Sequence, residues 1–382
     1  MAASAQRLQE RYFICRAVDY VGFSGVRHVE RAGEVTVTRL SQDLLSVVED
    51  GSERMLSVPS QHIELENSGN YFSQRDLTAN RHGIEMSLSE LTKNWERISE
   101  AWTEIYENDS GCHSEKSLRF DAFRMQHEVG MITVFPNNGI LDEGLIDLLS
   151  NPPPPRVKPG KVSNAVIEMD QAAAASFLHE LFGHSFERSY VGPDTIPMPE
   201  KSLSVFREFI FEDDPSIEGL LASEMRDSQG VPAGKKKLAE KGRIHQYLGD
   251  CLTSRTFPRT TPGNARISTA KYPTPSMSNF IVRADPLGYS PEADIKLCGS
   301  VQAKRTASSI FIRPLSMLIN GERCLGSIQI DPCFIGDTEV FPIGEMKFGN
   351  LGYCGRGDHN YLPVGYGNPG LCIKGLTVEL QL

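Results

Sequence analysis

The stretch AAAASFLHELFGHSFERS, residues 172–189, is the part of the chain on which the interpretation of the rest depends. Its alanine-rich start favours a helix, and the small side chains allow another element to approach closely. Two histidines and a glutamate, His179, Glu180 and His184, fall within six positions of this apolar segment. Buried polar groups need partners, so three of them on one buried helix indicate a shared function.

The spacing of the two histidines differs from that of the zinc-protease helix motif H-E-x-x-H. In that motif the histidines are four residues apart, which is about 40° around an ideal helix. His179 and His184 are five residues apart, which is about 140°. A π-type bulge would let both reach one metal ion, and Gly183 would make that distortion easier. The alternative is two ordinary histidines on a helix.

A zinc hydrolase needs three protein ligands, an open position for water and a base that accepts the proton of the water. Glu180 directly follows His179, as the catalytic base does in zinc proteases. Glu187 lies three residues after His184, where it could orient that imidazole from behind. The candidates for a third ligand are Cys354, Asp358, His359 and His245. From the residues alone, Cys354 and His359 stay equal candidates.

The composition is that of an ordinary globular protein, with 40% hydrophobic and 23% charged residues. The net charge of −10 argues against a general nucleic-acid or membrane-surface binder. No run approaches the ~18 apolar residues that span a membrane, and the start of the sequence lacks the apolar core of a secretory signal. We therefore expect a cytoplasmic protein whose eight cysteines are mostly thiols.

The clearest boundary in the sequence is NPPPPRVKPGK, residues 151–161. Four consecutive prolines exclude a helix or a central strand and favour an extended connector. The connector separates an N-terminal α+β region, residues 1–150, from a C-terminal domain, residues 162–382, in which short strands and Gly/Pro turns dominate. The expected fold class is α+β, with an N-terminal α/β region and a mostly β C-terminal domain that carries the histidine helix.

Within the N-terminal region, residues 10–60 alternate apolar and polar residues and are predicted to form strands. Residues 61–85 carry no clear period and are predicted to be a loop. Residues 121–139 are predicted to be strand and turn, and residues 140–150 a short helix. A longer helix is predicted over residues 86–106, because apolar residues recur there at spacings of three and four. These residues are Leu88, Leu91, Trp95, Ile98, Trp102 and Ile105.

The segment SFLHELFGHSFE, residues 176–187, resembles the metal-binding helix of the TldD/PmbA metallopeptidases. The tail CGRGDHNYLPVGYGNPGLCIKGLTVEL, residues 354–380, is similar to the C-terminal pattern of the same family. Between them, further similar blocks follow in the family's order: QGVPAGKKKLAEKGRIHQYL (229–248), TPGNARIS (261–268) and PSMSNFIVRADP (275–286). The resemblance covers about residues 160–382 and is specific, because separate blocks agree.

The resemblance implies a catalytic zinc site with one zinc ion per chain, held by His179, His184 and Cys354, with Glu180 as the catalytic glutamate. It thereby selects Cys354 over His359 as the third ligand. It also implies a peptidase that works as a homodimer, or as a heterodimer with a TldE-type subunit that lacks the metal motif.

The expected substrate is a peptide or a small amide. An extended peptide could be held by backbone hydrogen bonds near Ser278 and Asn279, where a sheet edge and its turns are the plainer alternative. No nucleic acid and no membrane are expected as partners.

The chain departs from the family pattern in three places, of which the first is its N-terminal part, which looks shortened and diverged. Residues 187–189 are ERS where the family has E-G-D, and DSQG, residues 227–230, stands in place of the acidic block D-D-E-G. These departures leave two alternatives open. One is a tailoring hydrolase that cleaves an amide or C–N bond in a natural-product intermediate. The other is a non-catalytic zinc-binding partner subunit, whose zinc would have Asp358 or His359 as a fourth ligand.

Overall fold

In the described residues, two large β-sheets, two small two-stranded sheets and a few helices make up the fold. The computed structural model describes residues 9–22, 25–41, 44–49, 52–57, 69–78, 81–92, 94–109, 111–128, 130–135, 143–151, 153–189, 198–267, 272–286, 291–306, 308–354 and 362–382. The fold is α+β and mostly β, as the sequence predicts. Among the described helices, none combines the length and the apolar character that a membrane crossing requires.

The N-terminal region folds mainly as long strands. Its elements are β1 (Gln9–Gly22), β2 (Gly25–Ser41), β3 (Leu44–Glu49), β4 (Ser52–Ser57), β5 (Gly69–Leu77), α1 (Arg81–Leu91), β6 (Trp95–Asn108), β7 (Cys112–His127), β8 (Gly130–Val134) and α2 (Glu143–Ser150). In the described residues these strands form one sheet in the order β4-β3-β2-β1-β6-β7-β5, with β8 paired to β7. Among the described strands of this sheet, only β5 runs parallel to its neighbour, β7. The strands predicted within residues 10–60 and the short helix near residue 145 are confirmed.

The helix predicted over residues 86–106 is wrong beyond its first part. Helix α1 ends at Leu91, and from Trp95 the chain forms β6, which pairs antiparallel with both β1 and β7. A spacing of four fits one face of a helix, but it also fits one face of a strand, because every second residue of a strand shares a face. Ile98 and Trp102 are buried on that common face of β6.

The loop predicted over residues 61–85 is also wrong in part. Strand β5 occupies Gly69–Leu77, and α1 begins at Arg81. Alternation is present in β5, where Tyr71 is partly buried and Phe72 is exposed. Polar residues at most of the other positions hide this alternation in the sequence.

The proline-rich connector is extended, as predicted, but it is not free of the C-terminal domain. The amide of Val157 donates to the carbonyl oxygen of Leu325 at 2.7 Å, and the amide of Leu325 donates to the carbonyl oxygen of Pro155 at 2.9 Å. Val157 is buried in the C-terminal core. The domain boundary itself stays a prediction.

The C-terminal region contains many short strands and two long ones. Its elements are β9 (Gly160–Met169), α3 (Gln171–Leu181), a 3₁₀ turn (Gly183–Phe186), α4 (Glu200–Val205), β10 (Ile210–Asp213), β11 (Lys236–Glu240), β12 (Arg243–Ile244), β13 (Tyr247–Leu248), α5 (Thr253–Thr256), β14 (Thr260–Thr261), β15 (Ala265–Arg266), β16 (Thr274–Pro275), β17 (Asn279–Arg283), β18 (Ile295–Cys298), β19 (Gln302–Arg305), β20 (Ile310–Arg313), β21 (Ser316–Ile319), β22 (Glu322–Cys324), β23 (Ser327–Ile330), a second 3₁₀ turn (Pro332–Asp337), β24 (Glu339–Cys354) and β25 (Leu362–Gln381).

Strand β25 lies at the centre of the C-terminal sheet. It pairs along its length with β9, β17, β23 and β24. Helix α3 packs on this sheet, and its residues Ala173 and Ala174 are fully buried in the same core as Leu371 and Ile373 of β25. Small side chains at these positions bring the helix axis close to the sheet.

The two regions share a second core. The buried face of the N-terminal sheet, including Tyr12 and Trp102, packs against residues of the C-terminal region. These residues are Leu221, Leu252, Ile267, Tyr272 and Leu362. Polar contacts flank this core. Arg75 of β5 donates to the carbonyl oxygen of Leu220 at 2.5 Å, and Lys116 of β7 pairs with Glu224 at 3.3 Å.

Candidate metal centre

Helix α3 is held at its start by one carboxylate. Asp170 caps the helix, and its Oδ1 accepts a hydrogen bond from the amide of Ala173 at 2.9 Å. Its Oδ2 accepts from the amide of Gly299 at 2.6 Å, which ties the helix to the segment after β18. A side-chain cap of this kind satisfies an amide that has no partner within the helix. The helix therefore enters the core at a defined position.

The two histidines of the motif meet because the helix ends between them. His179 lies in the last turn of α3, which ends at Leu181, and His184 lies on the 3₁₀ turn Gly183–Phe186. Their ring centroids are 4.5 Å apart, and the rings are nearly perpendicular at 78°. The π-type bulge considered from the sequence is wrong, because the α-helix stops instead of widening. Both side chains are buried.

Gly183 allows a close approach rather than an unusual backbone conformation. A Cβ atom at this position would lie 2.5 Å from Sδ of Met277, which is nearer than non-bonded atoms approach. Met277 is itself fully buried. The glycine thus lets the segment before β17 pack directly against the turn that carries His184.

Cys354 joins the histidines from the far end of β24. Ligand atoms of His179, His184 and Cys354 all lie within 4.8 Å of one another, and all three residues are buried. Sγ of Cys354 is 3.4 Å from Nε2 of His184. The two histidines and the cysteine form one group that could hold a metal ion.

Glu187 lies behind His184. Its Oε2 is 2.8 Å from Nδ1 of His184, and its Oε1 accepts from the amide of Met277 at 2.9 Å. A carboxylate only accepts hydrogen bonds, so Nδ1 carries the proton and Nε2 is left to face Cys354. This is the arrangement by which a carboxylate orients an imidazole ligand.

The electrostatics of the group favour a cation. Burial lowers the pKa of the His184 imidazole, but the nearby Cys354 and Glu187 outweigh burial and raise that pKa well above its usual value. Of the two groups that stabilise a proton on His184, Glu187 is a carboxylate, and Cys354 offers a sulfur atom that can bind a metal ion as a thiolate. The same groups would stabilise a metal ion between these side chains.

Glu180 follows His179 near the end of α3 and is only partly buried, whereas its neighbours His179 and Leu181 are buried. Sequence analysis identified this residue, but nothing in its motif pointed to the contact made by its main chain. The carbonyl oxygens of Glu180 and Leu181 accept hydrogen bonds from Nη1 of Arg305 at 3.1 and 2.6 Å.

Ser278 and Asn279 are not brought into the group of possible ligands. Both are fully buried. Oγ of Ser278 donates to Asp213 at 2.9 Å, and Nδ2 of Asn279 donates to Oγ of Ser223 at 3.0 Å. Their side chains therefore hold the segment behind the histidines together, and a role in substrate binding stays a prediction.

Of the other candidate ligands, His245 lies apart from this group, with 49% of its side chain exposed and Nε2 3.7 Å from Glu240. Asp358 and His359 lie outside the described residues.

Arg266, which the sequence analysis did not single out, is buried and donates to the carbonyl oxygens of Met277 at 2.6 Å and Pro363 at 2.8 Å. It thus joins the segment that contacts Glu187 to the start of β25. No local pattern marks this arginine in the sequence.

The chain is similar to one protein family over the histidine helix and its surroundings, and to one curated protein. Residues 163–300 match the family described as PmbA/TldA metallopeptidase C-terminal domain. This range includes His179, Glu180 and His184 but ends before Cys354. A metalloprotease from Methanocaldococcus jannaschii is 28% identical over 235 residues, which are 57% of this chain and 51% of that protein. The chain thus spans about half the length of the curated relative it matches.

Solved structures share the fold over nearly the whole chain. TldE from Thermococcus kodakarensis has a TM-score of 0.57 and 12% identity, covering 98% of this chain and 96% of that one. A protein from Thermotoga maritima described as a modulator of a DNA gyrase has a TM-score of 0.56 and 12% identity, covering 97% of this chain and 96% of that one. At these identities the likeness concerns the fold alone.

Proposed function

The chain belongs to the TldD/PmbA family, and on this basis we propose that it is a zinc-dependent hydrolase of peptide or amide bonds. The observation that carries the proposal is the buried group of His179, His184 and Cys354, whose ligand atoms lie within 4.8 Å of one another. Two imidazole nitrogens and one thiolate suit zinc. Catalytic zinc sites typically use three protein ligands and keep the fourth position for water.

The distances support zinc as the metal. Typical Zn–N and Zn–S bonds in a tetrahedron put a nitrogen and a sulfur ligand ~3.5 Å apart. Sγ of Cys354 and Nε2 of His184 are 3.4 Å apart. These two atoms therefore need little movement to share one ion.

Each side chain has a distinct role in the proposed reaction. His179, His184 and Cys354 would hold the ion, which supplies Lewis acidity that activates water and polarises a carbonyl group. Glu187 keeps the proton of His184 on Nδ1, so that Nε2 stays available. Glu180 accepts the proton of the attacking water and passes it to the leaving amine.

We extend the proposal to the substrate and the assembly. The substrate is a peptide or a small amide, and the working unit is a dimer with a second copy or with a TldE-like subunit. The fold likeness to TldE over 98% of the chain supports this assembly. Light scattering of the purified protein tests it, and a monomer at all concentrations in the presence of zinc and of a TldE-like protein would count against it.

The metal site is tested first by elemental analysis of reduced, purified protein. We expect about one zinc ion per chain, and a strongly reduced content in Cys354→Ser because the third ligand is lost. The matched control is Cys333→Ser, since Cys333 is an exposed cysteine on the 3₁₀ turn before β24. No zinc in the wild type after reconstitution would refute the proposal.

The role of Glu180 is tested by the turnover of casein and of mixed peptides. Glu180→Gln should keep its zinc but lose turnover by at least ~100-fold, the usual contribution of a general base. The control is Glu168→Gln, which removes a carboxylate of β9 that pairs with Lys296 at 3.2 Å. Full activity of Glu180→Gln would refute this mechanism. Zinc-loaded wild type that cleaves no amide at all would favour a non-catalytic subunit.

A further inference from the structure

We propose that Arg305 is a positioning residue that ends helix α3 after Leu181 and thereby places His184 beside His179. The consequence for metal binding rests on the proposed function, whereas the effect on the helix end does not. Arg305 is the last residue of β19, so it lies 120 residues or more after the carbonyl groups that it contacts.

The backbone hydrogen bonds show what Arg305 replaces. In a continuing α-helix, the amides of His184 and Ser185 would donate to the carbonyl oxygens of Glu180 and Leu181. Instead, the amide of Ser185 donates to the carbonyl oxygen of Phe182 at 2.9 Å, and this bond closes a 3₁₀ turn, which is tighter than an α-helical turn. The two carbonyl oxygens accept from Nη1 of Arg305 at 3.1 and 2.6 Å. The guanidinium thus occupies the acceptors that would otherwise extend the helix.

The same guanidinium also contacts the turn beyond the helix. Nη1 of Arg305 lies 3.3 Å from Oγ of Ser185, which is a buried residue of the 3₁₀ turn. One side chain therefore bridges the last turn of α3 and the turn that carries His184. A cation at this position also interacts favourably with the negative end of the helix dipole.

The end of α3 lacks the left-handed glycine that commonly stops a helix. A helix often ends at a glycine in the left-handed conformation, whereas Gly183 is not among the residues with positive φ. The capping residue Phe182 is right-handed, with φ −119° and ψ −38°. The carbonyl groups of Glu180 and Leu181 are instead satisfied by a side chain from elsewhere in the fold, that of Arg305.

The segment that carries Arg305 is itself fixed along α3. Its Gly299 donates to Asp170 at the start of the helix at 2.6 Å, and Oγ of Ser176 donates to Oγ of Ser300 at 2.6 Å. Residues 299–305 thus contact the helix at its start, middle and end. Arg305 reaches the helix end from a strand whose position is set independently of the histidines.

The consequence for the histidines is geometric. If the α-helix continued, His184 would lie about 140° around the axis from His179. With the helix ended at Leu181, the two ring centroids are 4.5 Å apart. The arginine therefore converts a spacing of five residues into a pair that can share one ion.

The test compares Arg305→Met and Arg305→Lys with the wild type, all without metal, by amide hydrogen exchange. We expect an altered exchange pattern at residues 182–187 in Arg305→Met, because the amides of His184 and Ser185 can then bond to the freed carbonyl oxygens of Glu180 and Leu181, and unchanged protection in the N-terminal sheet. Arg305→Lys should restore part of the wild-type pattern, because lysine keeps a cation with donors. The control is Arg313→Met, on the neighbouring strand β20, where the arginine lies over Phe311. It should leave residues 182–187 unchanged.

Zinc affinity, measured by competition with a chelator, is the second readout. Arg305→Met should bind zinc ~10–100-fold more weakly, as is typical when support behind metal ligands is removed. Unchanged exchange at residues 182–187 in Arg305→Met, or an equal change in Arg313→Met, would overturn the proposal. If Arg305→Met does not fold, unchanged local exchange in Arg305→Lys, with its shorter reach, would likewise count against it. A wild type that binds no zinc refutes the proposed function, and the exchange comparison still decides the role of Arg305.

Discussion

Glu187 uses both of its carboxylate oxygens at the candidate metal centre, one towards Nδ1 of His184 and one towards the amide of Met277. Glutamine has a single acceptor oxygen, so Glu187→Gln must lose one of these hydrogen bonds. We predict a ~10–100-fold lower zinc affinity for this variant, measured by competition with a chelator. Glu168→Gln serves as the control and should bind zinc like the wild type. Equal affinities for Glu187→Gln and the wild type would show that the imidazole is oriented by other contacts.

A second residue-scale prediction concerns Asp227. Burial and the neighbouring charge of Glu224 raise the pKa of this carboxyl group from 3.8 to about 7. Between about pH 4 and pH 7 the folded chain keeps a proton that the unfolded chain has released, so this group lowers stability as the pH rises. Asp227→Asn does not titrate, and its oxygen can still accept the amides of Gln229 and Val231.

The stability of the wild type relative to Asp227→Asn should therefore fall through this window, by at most about 1.4 kcal/mol per pH unit. Denaturant unfolding at about pH 5 and pH 7 measures the difference. A relative stability that stays constant, or that rises with pH, would contradict the assignment.

At the scale of elements, the N-terminal cap of α3 can be tested separately from the metal centre. Asp170→Ala removes the acceptors of the Ala173 and Gly299 amides and should destabilise the protein by about 1–2 kcal/mol. Asp170→Asn keeps one acceptor oxygen and should therefore destabilise the protein less than Asp170→Ala does. The measurement is the unfolding midpoint in the presence of a chelator, so that zinc does not contribute. If the alanine variant unfolds at the midpoint of the wild type, the cap does not stabilise the helix.

The sequence correctly predicts those elements in which the apolar residues recur with one unambiguous period, or in which prolines or alanines strongly favour one backbone structure. The alternation in β1 and β2, the prolines before β9 and the alanines of α3 each allow a single interpretation. The segment 86–106 does not, because Ile98 and Trp102 are four residues apart and share a face in either structure. Pairing with β1 and β7 decides between helix and strand, and that pairing depends on residues far away in the sequence.

In the candidate site, too, local features could be predicted from the sequence, whereas features that depend on distant residues could not. His179, Glu180 and His184 form a local motif and could be identified from the sequence, and the resemblance to a known family selected Cys354 among the candidates for the third ligand. The end of the helix between the histidines could not be predicted, because it depends on Arg305, which lies on a separate strand. The buried position of Ser278 depends likewise on Asp213, 65 residues before it. Long-range hydrogen bonds of this kind leave no pattern in the local sequence.

At the scale of the whole molecule, the core shared by the two regions predicts that the C-terminal domain is not independent. Residues 153–382 alone would expose Leu221, Leu252, Ile267 and Tyr272 to water. We expect this fragment to aggregate or to bind a hydrophobic dye. The control is the full chain cut within the connector, which keeps both pieces and should stay monodisperse. A fragment that is monodisperse and binds zinc would show that the N-terminal sheet is dispensable for folding.

The central position of β25 has a consequence for how the protein is made. This strand follows β9, β17, β23 and β24 in the sequence, yet it lies between them in the sheet and pairs with all four. A ribosome therefore releases every neighbour of the strand before the strand itself. Until residues 362–381 emerge, these neighbours have open edges that can pair with other nascent chains. The growing polypeptide thus depends on being shielded until β25 has emerged, and Cys354, at the end of β24, can reach the histidines only shortly before that point.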